Sequence, residues 1–249
     1  MFVAASTECF YQLPLVAAMD KLVELEYSSV EIALHEDGHQ LKPSEVAADL
    51  EKAISLCRYT YRLDLVAYDL RMTATGEAYY DQFTACCKLA KATKVVQLTV
   101  PCGELGTPFN EEVERLRRLT SIATLEGARV SIKSQIGRLS EDPDTVVVLC
   151  DNVPGLGVTF DPSHYICGPH SHKNVDKLMK YTYHTHLRDT SKKQLQVRVG
   201  QGEIEYGRLV TQLRRVKYNR ALSVNITEMP DVDHTGEMRK MRLLLESLL

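Results

Sequence analysis

Lys94-Val95-Val96-Gln97-Leu98-Thr99-Val100 is the stretch that decides the fold. Its β-branched and apolar residues predict a short strand. The segment after it, Glu111–Leu125, carries apolar residues at helical spacing. The same strand-then-helix pair recurs on both sides. Towards the N-terminus the strands are Phe2–Ser6, Ser29–Leu34 and Leu63–Tyr68, followed by helices Leu13–Glu26, Ser44–Tyr59 and Glu77–Lys91. Towards the C-terminus the strands are Ala128–Lys133, Gly157–Phe160, Tyr183–Leu187 and Ala221–Ile226. Their helices are Asp142–Cys150, Asn174–Tyr181, Tyr206–Val216 and Thr235–Leu249. Strict alternation predicts parallel strands joined by right-handed crossovers. Eight units in 249 residues predict an α/β chain folded as a single (β/α)8 TIM barrel, one domain over residues 1–249. The rival, an open doubly wound sheet, would be supported by a glycine fingerprint after the first strand, and none is present.

The composition narrows the classes of function. The formal net charge is −3, with no basic stripe, which argues against a nucleic-acid partner. No apolar run approaches the ~20 residues that span a bilayer, and Met1-Phe2-Val3-Ala4-Ala5 lacks the basic start of a signal peptide. Seven cysteines at irregular spacing, with no CxxC pair, read as reduced buried thiols and point to the cytoplasm.

In such a barrel the chemistry belongs at the C-terminal ends of the strands. Those positions hold Glu8, Glu31, His35, Asp69, Arg71, Lys133, Asp161, His164, His184, His186, Arg188 and Asn225. The densest polar cluster comes from strands five to eight. His184 and His186 are two apart and share one face of a strand. With Asp161 facing the same interior, they form a plausible oxygen and nitrogen donor set for a metal.

Three segments carry a family resemblance. Leu156-Gly157-Val158-Thr159-Phe160-Asp161-Pro162-Ser163-His164 resembles the "LG…D-x-x-H" segment of xylose-isomerase-like sugar phosphate isomerases and epimerases. Tyr183-His184-Thr185-His186-Leu187-Arg188-Asp189 resembles that family's "H-x-H-x-K/R-D" strand. Gly200-Gln201-Gly202-Glu203-Ile204-Glu205-Tyr206 resembles its "GxG-x-I-D/E" entry to a helix. The resemblance implies a small-molecule carbohydrate partner, with isomerisation or epimerisation through an enediolate, or a related lyase reaction. It also implies a divalent metal (Mn, Mg, Co or Zn) held by Glu, Asp, His and Glu from strands five to eight. Asp161 and His186 match two of those ligands, and His164 matches the substrate-contacting histidine.

The two glutamates do not match: Lys133 and Asn225 stand in their places. A divalent ion ~4 Å from a protonated lysine is repelled by about 8 kcal/mol at an effective dielectric near 20. So the metal is absent or weak, or Lys133 points away, or Lys133 is neutral. The first reading predicts that Lys133 takes the metal's place and pairs with Asp161 on the neighbouring strand.

Lys133, His164 and His186 are the candidate catalytic residues. Lys133 reads equally as an ion-pair partner or as an amine of lowered pKa acting as base or nucleophile. Glu31, His35, His184, Arg188 and Asn225 are candidate substrate contacts, and Asp161 with His186 the candidate metal ligands. Glu31 reads equally as a buried, paired carboxylate. Two functions stay open: a sugar or sugar-phosphate isomerase or epimerase with a degenerate or metal-free site, or a non-catalytic sugar-binding or regulatory barrel. The sequence also leaves a homo-oligomer open.

Overall fold

The computed structural model describes all 249 residues. Eight parallel strands close into one barrel in sequence order: β1 (Phe2–Ser6), β2 (Ser29–His35), β3 (Asp64–Arg71), β4 (Gln97–Pro101), β5 (Arg129–Lys133), β6 (Gly157–Phe160), β7 (Thr182–Leu187) and β8 (Ala221–Val224). Closure comes from the register of β1 with β8, Phe2 beside Ala221 through Ala5 beside Val224. Nine α-helices lie between and after the strands: α1 (Leu15–Glu24), α2 (Pro43–Ala48), α3 (Leu50–Arg58), α4 (Gly76–Ala92), α5 (Phe109–Leu125), α6 (Pro143–Asn152), α7 (Pro162–Cys167), α8 (Tyr206–Arg215) and α9 (His234–Glu246).

The period of two sorts each strand. Val30, Ile32 and Leu34 of β2 join the apolar core between strands and helices. The alternate residues Glu31 and His35 turn into the barrel, where the interior is polar. Thr159 Oγ1 bonds Thr99 Oγ1 at 2.7 Å and Ser131 Oγ at 2.5 Å, linking β4, β5 and β6 across the lumen.

Three elements differ from the sequence reading. The helix expected over Ser44–Tyr59 is two helices, α2 and α3, broken at Asp49. The Asp49 side chain accepts the Lys52 N–H at 3.0 Å and so starts α3 as an N-cap. The helix expected over Asn174–Tyr181 is a 3-10 turn over Asp176–Tyr181. A helix the sequence reading did not include, α7, starts directly after β6. Its cap is Asp161, whose Oδ1 accepts the Ser163 N–H at 3.0 Å, and Pro162 occupies the first helical position.

No helix is long and apolar enough to cross a membrane. All seven cysteines are free thiols, six of them buried.

Candidate functional site

The C-terminal mouth gathers side chains from seven strands. Glu8 lies in the 3-10 turn Thr7–Phe10 after β1, His35 ends β2, Asp69 lies near the end of β3, and Lys133 ends β5. Asp161, Arg188 and Asn225 follow directly after β6, β7 and β8. Their polar atoms form one continuous chain. Lys133 Nζ donates to Asp69 Oδ2 at 2.9 Å and to Glu8 Oε2 at 3.4 Å. Asn225 Nδ2 donates to the same Glu8 oxygen at 2.9 Å. The Asn225 carbonyl accepts from the Arg188 guanidinium at 2.8 Å, and that guanidinium lies 3.1 Å from Asp161 Oδ2. His35 Nε2 stands 3.5 Å from Asp69 Oδ2, and Arg71 reaches Glu8 from the rim at 3.2 Å.

These pairings set the protonation states. Burial alone would lower the Lys133 pKa, but Asp69 and Glu8 overcome it and hold the amine above the usual lysine range. Lys133 is therefore an ammonium. Burial opposes ionisation of Glu8, yet Lys133 and His35 pull its carboxyl down to about 2. Asp161 is shifted below the usual carboxylate range: burial opposes this, and Arg188 and His164 outweigh it. His164 is pushed down to about 4 by burial, with Arg188 and Lys133 adding to the effect. Its Nδ1 accepts the Ile136 N–H at 3.1 Å, so the neutral ring carries its proton on Nε2, which points to Asp161 Oδ2 at 3.7 Å.

A second cluster lies within the barrel. His184 and His186, both from β7, meet Glu31 from β2 across the lumen. Glu31 Oε1 bonds His186 Nε2 at 2.8 Å, and Oε2 bonds His184 Nε2. All three are buried, and the two histidines hold Glu31 ionised against the cost of burial. With its Nε2–H given to Glu31, His186 keeps a lone pair on Nδ1, an atom that is buried and has no partner.

The structure reassigns Lys133. The expected partner Asp161 goes to Arg188, and Lys133 reaches instead to β3 and to the turn after β1. The shift runs opposite to the amine of lowered pKa also expected, because two carboxylates favour the charge on Lys133. Asn225 sits at the mouth, its carbonyl accepting from Arg188 and its amide donating one hydrogen bond to Glu8. His184 and Glu31 pair with each other within the barrel. Glu8 and Asp69 are the mouth residues paired with Lys133 that sequence reasoning did not select. Their signal was position, since both stand at the mouth end of a strand.

Two groups present three metal-type donor atoms within 4.8 Å of one another: Glu31, His184 and His186, and Glu8, His35 and Asp69. The second group also contains the Lys133 ammonium. At the four positions where the resemblance leads one to expect metal ligands, Lys133 is a cation, the Asn225 oxygen belongs to Arg188, and His186 Nε2 belongs to Glu31. Asp161 is left, facing a guanidinium.

Asp189 explains the glycine motif. Its Oδ2 accepts the N–H groups of Gly200 and Gly202 at 2.8 and 3.0 Å, folding the Gly200–Tyr206 segment back onto the end of β7. A Cβ on Gly202 would fall 1.9 Å from Asp189 Oδ1, so only glycine fits there.

The chain is thus a closed (β/α)8 barrel with buried acids, histidines and cations at its C-terminal mouth. The model of the xylose isomerase-like TIM barrel family matches residues 19–247, and the chain belongs to that family. Solved structures agree on the fold. A xylose isomerase-like TIM barrel protein from Mycobacterium smegmatis in complex with magnesium superposes with a TM-score of 0.76 at 14% identity, over 99% of this chain and 97% of that one. D-allulose 3-epimerase from Methylomonas sp. in complex with D-allulose gives 0.76 at 13% identity, over 100% and 97%. A D-tagatose 3-epimerase-like protein gives 0.74 at 17% identity, over 100% and 98%. No curated protein matches the chain.

Proposed function

We propose that this barrel binds a small carbohydrate with a carbonyl group at its C-terminal mouth and moves a proton next to that carbonyl without a divalent ion. The observation that carries this reading is the pair of cations, Lys133 and Arg188, set among Glu8, Asp69, Asp161 and Asn225. The quartet positions do not fit a divalent metal. One carboxylate remains, and a guanidinium faces it, so an arriving ion meets repulsion that Asn225 cannot offset.

The chain's own residues supply the needed roles. The Lys133 ammonium and the Arg188 guanidinium stabilise negative charge on an enediolate oxygen. His186 is the base: Glu31 holds its Nε2–H and leaves the Nδ1 lone pair free. His164 is a donor, because its Nδ1 is occupied by a backbone N–H and its Nε2 carries the proton. His35 and Asn225 line the mouth where sugar hydroxyls would bond. The related solved structures, among them an epimerase complex with D-allulose, support the carbohydrate class.

A second reading is a non-catalytic carbohydrate-binding barrel. It is favoured by the carboxylates, each shifted low by a neighbouring cation or imidazole, so that none is poised near neutrality to accept a proton. Incubating the protein with ketoses and ketose phosphates in deuterated water, with and without Mn²⁺, separates the two. Deuterium at a carbon beside the carbonyl, unaffected by chelator, supports the enzyme. Sugar binding with no exchange supports the second reading. Exchange that appears only with Mn²⁺ overturns the metal-free assignment.

A further inference from the structure

The opposite end of the barrel holds a cavity of about 410 Å³. It is lined by residues at or next to the N-terminal ends of strands, among them Phe2 of β1, Leu65 of β3, Gln97 of β4, Arg129 of β5, Tyr183 of β7 and Ala221 of β8. This is the end of the fold that ordinarily serves stability alone. Three of its features call for a ligand.

The first is charge. Lys94, Arg129 and Arg220 line the cavity and no carboxylate does. None of the three cations makes an ion pair within 4.0 Å, although most basic side chains at the other end of the barrel are paired. The second is preorganisation. The guanidinium carbons of Arg129 and Arg220 stand 5.6 and 5.5 Å from the centre of the Tyr183 ring. Arg220 also donates to the Tyr183 carbonyl at 3.2 Å. Two planar forks beside one aromatic ring are donors suited to a tetrahedral anion. The third is an unsatisfied buried group. Gln97 lines the floor at 6% exposure, and its Oε1 has no hydrogen-bond partner. Its Nε2 donates to Ser131 Oγ and the Leu98 carbonyl, and the unpaired buried oxygen costs free energy that a ligand hydroxyl would recover.

We infer that this cavity binds a small phosphate monoester. Its dianion sits among Arg129, Arg220 and Lys94, its hydroxyl donates to Gln97 Oε1, and its carbon skeleton lies against Leu65, Val95 and Ala221. Three unpaired cations suit a dianion, and the apolar wall suits an organic ester over bare phosphate. The site is independent of the chemistry proposed for the mouth. His184 also lines the cavity, and through Glu31 it shares a carboxylate with His186, so occupancy is felt on the path towards the mouth.

The test uses the whole protein at fixed ionic strength. Glycerol 3-phosphate, inorganic phosphate and glycerol are titrated calorimetrically, and ¹⁵N-histidine spectra are recorded in parallel. The expected result is saturable binding of the monoester, weaker binding of inorganic phosphate, none of glycerol, and a shifted His184 resonance with His164 unmoved. The double variant Lys94→Gln, Arg129→Gln removes two side chains that make no ion pair or side-chain hydrogen bond. It should keep the wild-type circular dichroism and raise Kd at least tenfold. Unchanged affinity in the double variant, a shift at His164 in place of His184, or no monoester binding overturns the assignment. So does binding of an oligonucleotide to this face while the monoester stays inert.

Discussion

Replacing Lys133 by methionine keeps the length of the side chain and removes its charge, leaving Asp69 and Glu8 buried without their shared cation. The Lys133–Asp69 contact at 2.9 Å corresponds to about 6 kcal/mol of attraction at an effective dielectric of 20. The Glu8 contact at 3.4 Å corresponds to about 5 kcal/mol on the same basis. The desolvation of three groups offsets much of this, so the loss expected from removing one partner of a buried pair is about 3–5 kcal/mol at pH 7. The loss should depend on pH with a definite sign. In the wild type, Glu8 is held at about 2, below its usual 4.5, so its stabilisation is complete above 4.5 and disappears as the pH falls towards 2. In Lys133→Met, burial is no longer opposed by the lysine, and both carboxyls shift up. Their cost is present at neutral pH and is relieved as they protonate on acidification. Both effects narrow the gap between wild type and variant from pH 7 to pH 4. The lysine itself adds no slope there, because a raised pKa contributes fully below its usual 10.5. Urea unfolding followed by circular dichroism reads the difference. A loss under about 1 kcal/mol at pH 7, the size of a surface pair, or a loss equal at pH 7 and pH 4, would refute the reasoning.

Three further outcomes follow from other contacts. His164 should titrate near 4 in imidazole NMR spectra, and because the unfolded ring protonates near 6.5, stability should fall as the pH drops from 6.5 to 4; a ring titrating at 6.5 contradicts the burial argument. Gly157→Ala places a Cβ 2.2 Å from Tyr183 Cδ2 and should cost about 1–3 kcal/mol, with Tyr183→Ala recovering part of the loss in the double variant; an unchanged unfolding midpoint in Gly157→Ala rules out that packing. Glu31→Gln removes the charge that orients His186 and should slow deuterium exchange into the sugar on the order of 10²-fold while leaving sugar affinity near wild type; equal exchange rates would remove His186 from the role of base.

The barrel was legible because β-rich runs and helical runs alternate eight times, and because inward and outward residues separate by parity along each strand. The mouth was legible for the same reason, since each strand end places its next polar residue there. Pairing inside the mouth was not. Lys133 has three carboxylates near it, and sequence separation does not rank Glu8, Asp69 and Asp161 by distance across a closed barrel. The nearer strand seemed to decide for Asp161, but Arg188 occupies that partner and the long lysine stem crosses to β3. The break at Asp49 was hidden because Val46, Leu50, Ala53, Ile54 and Cys57 keep helical spacing through it. The helix α7 was hidden because its six residues lie inside the segment that carries the family resemblance, where Asp161 reads as a ligand and serves also as an N-cap.

Lys133 and Asn225 make sense as one electrostatic arrangement. Glu8, Asp69 and Asp161 carry three negative charges at the mouth, against Lys133, Arg188 and, at the rim, Arg71, which Glu8 shares with Asp37. With an ammonium at position 133, most of the negative charge at the mouth is already paired, which weakens the draw on a divalent ion. Position 225 is then constrained from both sides, because Arg188 needs an acceptor there and Glu8 needs a donor. A glutamate would satisfy Arg188 and set a second carboxylate against Glu8. An amide satisfies both with one side chain. A lysine at 133 thus favours an amide at 225.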